Sequence, residues 1–229
     1  MPRYILELVV EGAHIFTNIH YKFQVKSEYS EKILHLLQVH EKVNLEKRLL
    51  MVSFTSLVDY MWYLRSICER LGKMGTRVLL YLAAAVSDFY IPVAEMPQHK
   101  MQSSEGAPKL QLQLVPKMLH PLVKYWVPNA YVISFKLETD PSLLEDKARK
   151  ALETYHHNMV IANILKDRKW KVTIIERPSD CDKIEKSPIV IELSDTEMVN
   201  GVELEEKIVT IVCKIHDKFS TSVDSQFKR

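Results

Sequence analysis

Three apolar runs in this chain end on residues that suit a ligand. RVLLYLAAAV leads into Ser87-Asp88, AYVIS into Phe135-Lys136, and MVIA into Asn163. Acidic residues at strand ends orient hydroxyls or metals in nucleotide-binding folds, so Asp88 suits that work; its plainer role is to cap a loop. Phe135 can stack on a base or simply fill the core. Asn163 can hydrogen-bond a ring edge or a ribose, or cap a helix. If the three runs are parallel neighbours, their ends converge on one rim. Ala83, Ala84 and Ala85 stand just before the first of these ends. Small side chains there leave room for a ligand floor or for close helix packing. Lys100, in PQHKMQSSEGAP, sits in a long loop that faces the same rim. A loop lysine can close over a phosphate or carboxylate and offset developing charge, or it can be an ordinary solvated lysine.

The elements that must position these residues follow from periodicity. Val78 to Val86 is an uncharged run of nine residues, which reads as a central strand buried on both faces. Leu49–Phe54 reads as a second buried strand. Thr55 or Ser56 caps the helix between them, whose apolar positions from Leu57 to Leu71 recur at three and four, and Gly72 stops it. Leu110, Leu112 and Leu114 alternate with glutamines, predicting a half-exposed strand at an edge or on a flap. Pro116 opens a helix, and Ala130–Phe135 is a further buried strand. Asp140-Pro141 starts the next helix, with an acidic cap followed by proline at the first helical position. Met159–Ala162 is a short strand ending at Asn163. Lys171–Glu176 and Pro188–Leu193 close the sheet, and Glu203–Lys218 is an amphipathic last helix. Tyr4–Val10 alternates as a strand and Ser30–Val43 as a helix, without visible chemistry. The alternation predicts an α/β fold: a three-layer, Rossmann-like, mostly parallel sheet with a flap loop. Residues 1–48 form a poorly defined N-terminal segment, 49–217 the Rossmann-like domain and 218–229 a polar tail that frays.

Bulk composition narrows the partners. The chain has 229 residues, 47% hydrophobic and 26% charged, with a net charge of +2. It is long enough for a substantial core, and its charge gives no general case for nucleic acid or membrane as partner. Cys68, Cys181 and Cys213 are odd in number and lack CxxC spacing, which argues against a disulfide framework or zinc site and for a reducing, cytoplasmic setting. No signal-peptide pattern or run of about 18 apolar residues is present. Glycine is scarce, at 5 residues where about 7% of a chain is usual. Neither GxGxxG nor GxxxxGK[ST] occurs, so a nicotinamide-dependent reductase is disfavoured.

Taken together, YLAAAVSDFYIP, HKMQSS, VPKMLHPLVKYW, VISFKLETD, KARKAL and VIAN, in this order and spacing, closely resemble phosphopantothenoylcysteine synthetase (phosphopantothenate–cysteine ligase) of the eukaryotic type, over roughly residues 30–210. The resemblance implies an ATP- and Mg²⁺-using Rossmann-like homodimer that joins 4′-phosphopantothenate to cysteine on the way to coenzyme A. Its intermediate is an acyl-nucleotidylate, and its other partners are small molecules. It matches Ala84 and Asp88 to the nucleotide and substrate site, Lys100 to the loop lysine that closes over the intermediate, and Phe135 to the nucleotide-contacting phenylalanine. Asn163 matches the asparagine after the next strand. Lys147 and Lys150 match helix lysines that help hold phosphates. No protein ligand set for a metal is implied.

The chain also departs from that family. The SGGT strand end and the NFSSG motif, which grip phosphates, do not occur in it, in keeping with the shortage of glycine. Residues 1–29 have no counterpart to align. Two expectations therefore stand side by side: a working ligase, and a truncated, catalytically impaired homologue that acts as a binding or dimerisation partner.

Overall fold

The computed structural model describes residues 27–99, 106, 109–178 and 186–226. The chain divides into two compact units, Met1–Ser53 and Phe54–Arg229. In the first, helix α1 spans Ser27–Leu45, enclosing the helix expected over Ser30–Val43. The strand expected over Tyr4–Val10 lies outside the described residues. Leu49–Phe54 is not a strand, and Leu50 is 86% exposed. An apolar run becomes a strand only where a neighbour supplies a hydrogen-bond ladder, and no described strand pairs with this one.

The second unit opens with α2 (Leu57–Leu71), for which Ser56 is the cap. Ser56 Oγ accepts from Asp59 N at 3.1 Å while Ser56 N donates to Asp59 Oδ2 at 3.2 Å, a reciprocal box that satisfies two otherwise orphaned donors. The expected stop at Gly72 has a different cause. Gly72 is right-handed (φ −51°) and the chain runs on through a 3₁₀ turn, Gly72–Arg77, reversing at Gly75 with φ +61°. What requires glycine at 72 is proximity, because a Cβ there would lie 2.3 Å from the Trp126 carbonyl oxygen.

Five strands form the main sheet: β1 (Leu79–Leu82), β4 (Tyr131–Glu138), β5 (Met159–Ile164), β6 (Lys171–Glu176) and β7 (Ile189–Glu192), in that spatial order. β1, β4 and β5 pair in parallel, while β6 is antiparallel to both of its neighbours. All but β6 therefore run the same way, as the mostly parallel expectation holds. β1 is shorter than the Val78–Val86 run and, within the described sheet, is an edge strand with half-buried residues rather than a central one. Ala83–Ala85 lie beyond its end and are exposed. A separate antiparallel pair, β2 (Phe89–Tyr90) with β3 (Gln113–Leu114), is what the alternating leucines form, in shortened flap-like form.

The helix expected after Pro116 is broken. One turn, α3 (Leu119–Pro121), passes into a wide π turn over Leu122–Trp126, with Val127 N bonding Leu122 O. Pro121 has no N–H for the Lys117 carbonyl, so regular helical bonding begins only with Leu122 N to Met118 O. Asp140 caps, as expected, through Oδ1 accepting from Ser142 N at 2.9 Å, but what it caps is a 3₁₀ turn, Pro141–Leu143, that leads into α4 (Leu144–Tyr155). α5 (Asp195–Val199) is capped by Ser194. α6 (Leu204–Gln226) continues well past Lys218 into the stretch expected to fray.

Strand alternation divides the core into layers. Ile133, Met159, Ile161, Val172 and Ile174 pack against Leu204, Ile208 and Val212 of α6. On the opposite face, Val78 and Val132 pack with Cys68 of α2 and Leu122, and Val160, Ala162 and Ile175 with Ala148 and Leu152 of α4. Each large side chain fully buried in these clusters contributes roughly 1.5–3 kcal/mol. Among the described residues, His157 is the one buried polar side chain, fully inaccessible between α4 and β5. Desolvation, assisted by the charge of Arg177, pushes its imidazole from 6.5 down to about 4.

Two tests follow from this packing. Gly72→Ala should lower unfolding free energy by about 1–3 kcal/mol, the usual range for overpacking, measured by urea titration; an unchanged midpoint would contradict the close approach to Trp126. The second concerns acid. A histidine held neutral in the fold but protonated in the unfolded chain weakens folding as pH falls from 6.5 toward 4, with the full contribution present above 6.5. The loss should reach on the order of 3 kcal/mol. Urea midpoints between pH 7 and 4.5 should therefore slope downward in the parent chain and flatten in His157→Gln.

Candidate functional site

β1 and β4 run parallel as neighbours, so their C-terminal ends lie side by side, with Leu82 in register with Ser134. In open α/β sheets that edge is where ligands bind. A cleft of about 290 Å³ opens there. Its floor is Leu82, Ala84, Ser134 and Phe135; Ser87, Asp88 and Lys117 stand at its rim, and α2 supplies an apolar wall through Leu57, Tyr60, Met61 and Leu64.

The local sequence explains each position. After Leu82 the chain leaves the ladder as small residues, so backbone and methyl groups, not bulk, face the cleft at Ala84. Ser87 turns it: the Oγ accepts from Phe89 N and donates to Phe89 O, and β2 carries the chain away. Val115 N bonds Asp88 O at 2.9 Å, which brings Pro116 and Lys117 back to the rim. Lys117 Nζ donates to Asp88 Oδ1, and this hydrogen bond holds the carboxyl below its usual range and raises the lysine. Both side chains are more than half exposed, so the pair is worth little to stability. It is a neutralised acid–base pair that an incoming anion or cation can reopen.

Of the residues singled out from sequence, Ala84, Asp88 and Phe135 line this cleft together. Phe135 also leans edge-to-face on Tyr81, centroids 4.9 Å apart, and touches the α6-side core, so part of its ring does structural work. Asn163 does not join the rim. It lies within β5, in register with Leu137, and alternation puts it on the α6 face with Met159 and Ile161. The expected convergence of three strand ends is thus a convergence of two. Lys147 is engaged with Glu138 Oε2 at 2.7 Å, and Lys136 holds the other oxygen at 3.3 Å. Those bonds, Lys147's first, keep the Glu138 carboxyl below its usual range. Lys150 is exposed on α4. Neither Lys147 nor Lys150 lines the cleft. Lys100 lies outside the described residues.

The structure adds cleft residues beyond the candidates singled out from sequence: Lys117, Tyr60, Tyr155 and Ser134. Lys117 had a visible signal, a lysine after proline just beyond an edge strand. Ser134 had one only as the polar member of an otherwise apolar strand. His157 lies behind it, its Nε2 2.7 Å from Ser134 Oγ. The described His, Cys, Asp and Glu residues form no group of three that could hold a metal. Asp88 is the carboxylate among the residues lining the cleft. No helix of the described residues is long and apolar enough to cross a membrane.

Comparison with known proteins gives this arrangement a context. Human phosphopantothenate–cysteine ligase is 48% identical over 170 residues, covering 74% of this chain and 52% of that protein. The mouse enzyme of the same name is 44% identical over 183 residues, covering 80% and 56%. The chain spans about half the length of these curated relatives. Among solved structures, a Cab2 histidine-to-alanine mutant in complex with phosphopantothenate-cysteine superimposes with a TM-score of 0.76 at 34% identity, over 88% of this chain and 64% of that one. The family profile described as the DNA/pantothenate metabolism flavoprotein C-terminal domain matches residues 66–199, a span that runs from α2 through β1, the cleft and the whole main sheet to α5. With that match and the ligase strings of its own sequence, the chain belongs to this family.

Proposed function

We propose that this chain makes the amide between 4′-phosphopantothenate and cysteine in coenzyme A biosynthesis, using ATP. The phosphopantothenate carboxylate attacks the α-phosphorus, pyrophosphate leaves, and an acyl-adenylate forms. The cysteine amine then attacks the acyl carbon, loses a proton, and expels AMP. The observation that carries the reading is the cleft at the paired ends of β1 and β4, where Ala84, Asp88 and Phe135 meet. Similarity to a Cab2 protein bound to phosphopantothenate-cysteine supports the same substrate class.

The parts take these roles. Phe135 offers the adenine a half-buried aromatic edge, and the alanines beyond β1 let the nucleotide approach the backbone. Lys117, released from Asp88, meets phosphate; Asp88 would help hold a nucleotide-bound Mg²⁺, which would offset phosphate charge. Lys100, by the resemblance, offsets charge on the departing phosphate. Lys147 and Lys150 lie off the cleft and, in this reading, help hold phosphates. Asn163, matched by the resemblance to the asparagine after the next strand, is not among the residues lining the cleft. We further propose a cytoplasmic homodimer; Val58 and Trp62 of α2, 59% and 67% exposed, give such an interface apolar area to cover.

One observation favours a second reading, an impaired homologue that serves as a pairing partner. Among the described residues lining the cleft there is no glycine, and so none that would ease a backbone nest of the kind that grips phosphates.

The two readings part on exchange. Purified chain should catalyse ATP–pyrophosphate exchange only when phosphopantothenate is present, and Lys100→Ala should slow it roughly a hundredfold, the scale of losing one transition-state donor. No exchange at high protein concentration would remove the ligase reading. The pairing reading expects co-purification with a full-length relative and dies if tagged relative recovers none of the chain.

A further inference from the structure

His157 lies behind the cleft floor and belongs to no part of the mechanism above. Its ring is fully buried, Nε2 is 2.7 Å from Ser134 Oγ, and Nδ1 has no hydrogen-bond partner. The two nitrogens of a neutral imidazole are not equivalent: one carries the proton and one a lone pair. An orphaned buried N–H is rarer and more costly than an orphaned acceptor. The proton therefore belongs on Nε2, and the bare lone pair on Nδ1. Burial keeps the ring neutral near pH 7, so the second proton that would make Nδ1 a donor is absent.

The consequence falls on Ser134. A serine hydroxyl has one proton and two lone pairs. With Nε2–H donating to Oγ, one lone pair is occupied by His157 and the hydroxyl proton remains unspent. Ser134 is at the cleft floor, in register with Leu82 on one side and Val160 on the other. Its backbone groups serve the sheet, and among the described residues His157 is the side chain that bonds its hydroxyl.

We propose that Ser134 is a ligand-contacting residue of the cleft, whose hydroxyl His157 orients from behind so that it donates to an anionic oxygen of the substrate, carboxylate or phosphate. His157 is a positioning residue and touches no substrate. The pairing explains why a histidine is tolerated where every other described buried side chain is apolar. It also gives a cleft whose described lining holds no glycine a fixed side-chain donor. This inference rests on the ligase reading for the identity of the anion, but the proton assignment does not depend on it.

The test has one arm for each part. In ¹⁵N-labelled whole chain, the ring-nitrogen shifts of His157, assigned by loss of the signals in His157→Gln, should report a proton on Nε2 and none on Nδ1. The reverse pattern overturns the proposal whether or not the chain is active. In pyrophosphate exchange, Ser134→Ala should lower kcat/KM for phosphopantothenate or ATP roughly ten- to hundredfold, the scale of a hydrogen bond to a charged group, while Ser134→Thr retains most of it. His157→Leu should lose as much as Ser134→Ala, the double variant no more than either, and His157→Gln, whose amide still donates to Oγ, should recover activity. A merely structural histidine would show no such recovery and no such non-additivity. Thermal melts of each variant separate unfolding from a lost contact. Undiminished exchange in a folded Ser134→Ala chain overturns the contact and leaves the ligase reading standing. No exchange and no ATP or phosphopantothenate binding by the parent chain overturns both.

Discussion

The parallel ladder between β1 and β4 is the constraint on which the rest depends. It begins at Leu79 opposite Tyr131 and ends at Leu82 opposite Ser134. Shift the register by one residue and every side chain changes face: Val132 and Ser134 would turn toward α6, and Ile133 and Phe135 toward α2. The cleft exists because β1 stops there while β4 continues to Glu138, leaving a step at the sheet edge. Small residues fill the step on one side and an aromatic ring on the other. α2 becomes a wall only because Cys68 and Leu64 pack on the same face of that pair, and Gly72 lets the turn after α2 come within contact of Trp126. The last turn of α2, the π turn and the ladder are thus one packing problem.

Electrostatics within the cleft divides into an exposed part and a buried part, and they do different work. The Asp88–Lys117 pair is exposed and screened, and its worth lies in being exchangeable. The Glu138 carboxylate, whose side chain is 10% exposed between two lysines, holds the end of β4 to the start of α4 and makes Lys147 a structural cation first. His157 is buried outright, and there burial fixes a protonation state instead of a charge. A site assembled this way keeps its mobile charges at the rim and its fixed donor at the floor. Preorganised donors stabilise developing charge best in that geometry.

Much of this was legible in the sequence, and the failures share one cause. Helix caps at Ser56 and Asp140 were readable because their bonds are local, closing within two or three residues. Leu49–Phe54 was misread because its apolar pattern says nothing of whether a ladder partner exists. Val78–Val86 was read too long and too central for the same reason: the alanines follow the strand, and the described sheet has a neighbour on one side alone. Asn163 was read as a strand end although β5 runs one residue beyond it. Of the site, Ala84, Asp88 and Phe135 could be found from strand-end chemistry. Lys117 and Ser134 left only faint traces there, and their pairing with Asp88 and His157 was not readable, since those partners lie 29 and 23 residues away.

The scarcity of glycine links these points. A phosphate cradle made of backbone N–H groups requires residues without Cβ, so that the chain can approach the anion and adopt left-handed turns. Each described glycine lies elsewhere: Gly72 serves contact with Trp126, and Gly75, Gly106 and Gly201 serve positive φ away from the cleft. Side chains must then provide what backbone would have provided. A flexible lysine supplies charge but no direction, because its three donors rotate freely. A serine supplies direction only if something behind it fixes the proton. Within the described cleft, a neutral buried histidine is the group able to do that, and it can do so only while it stays dry.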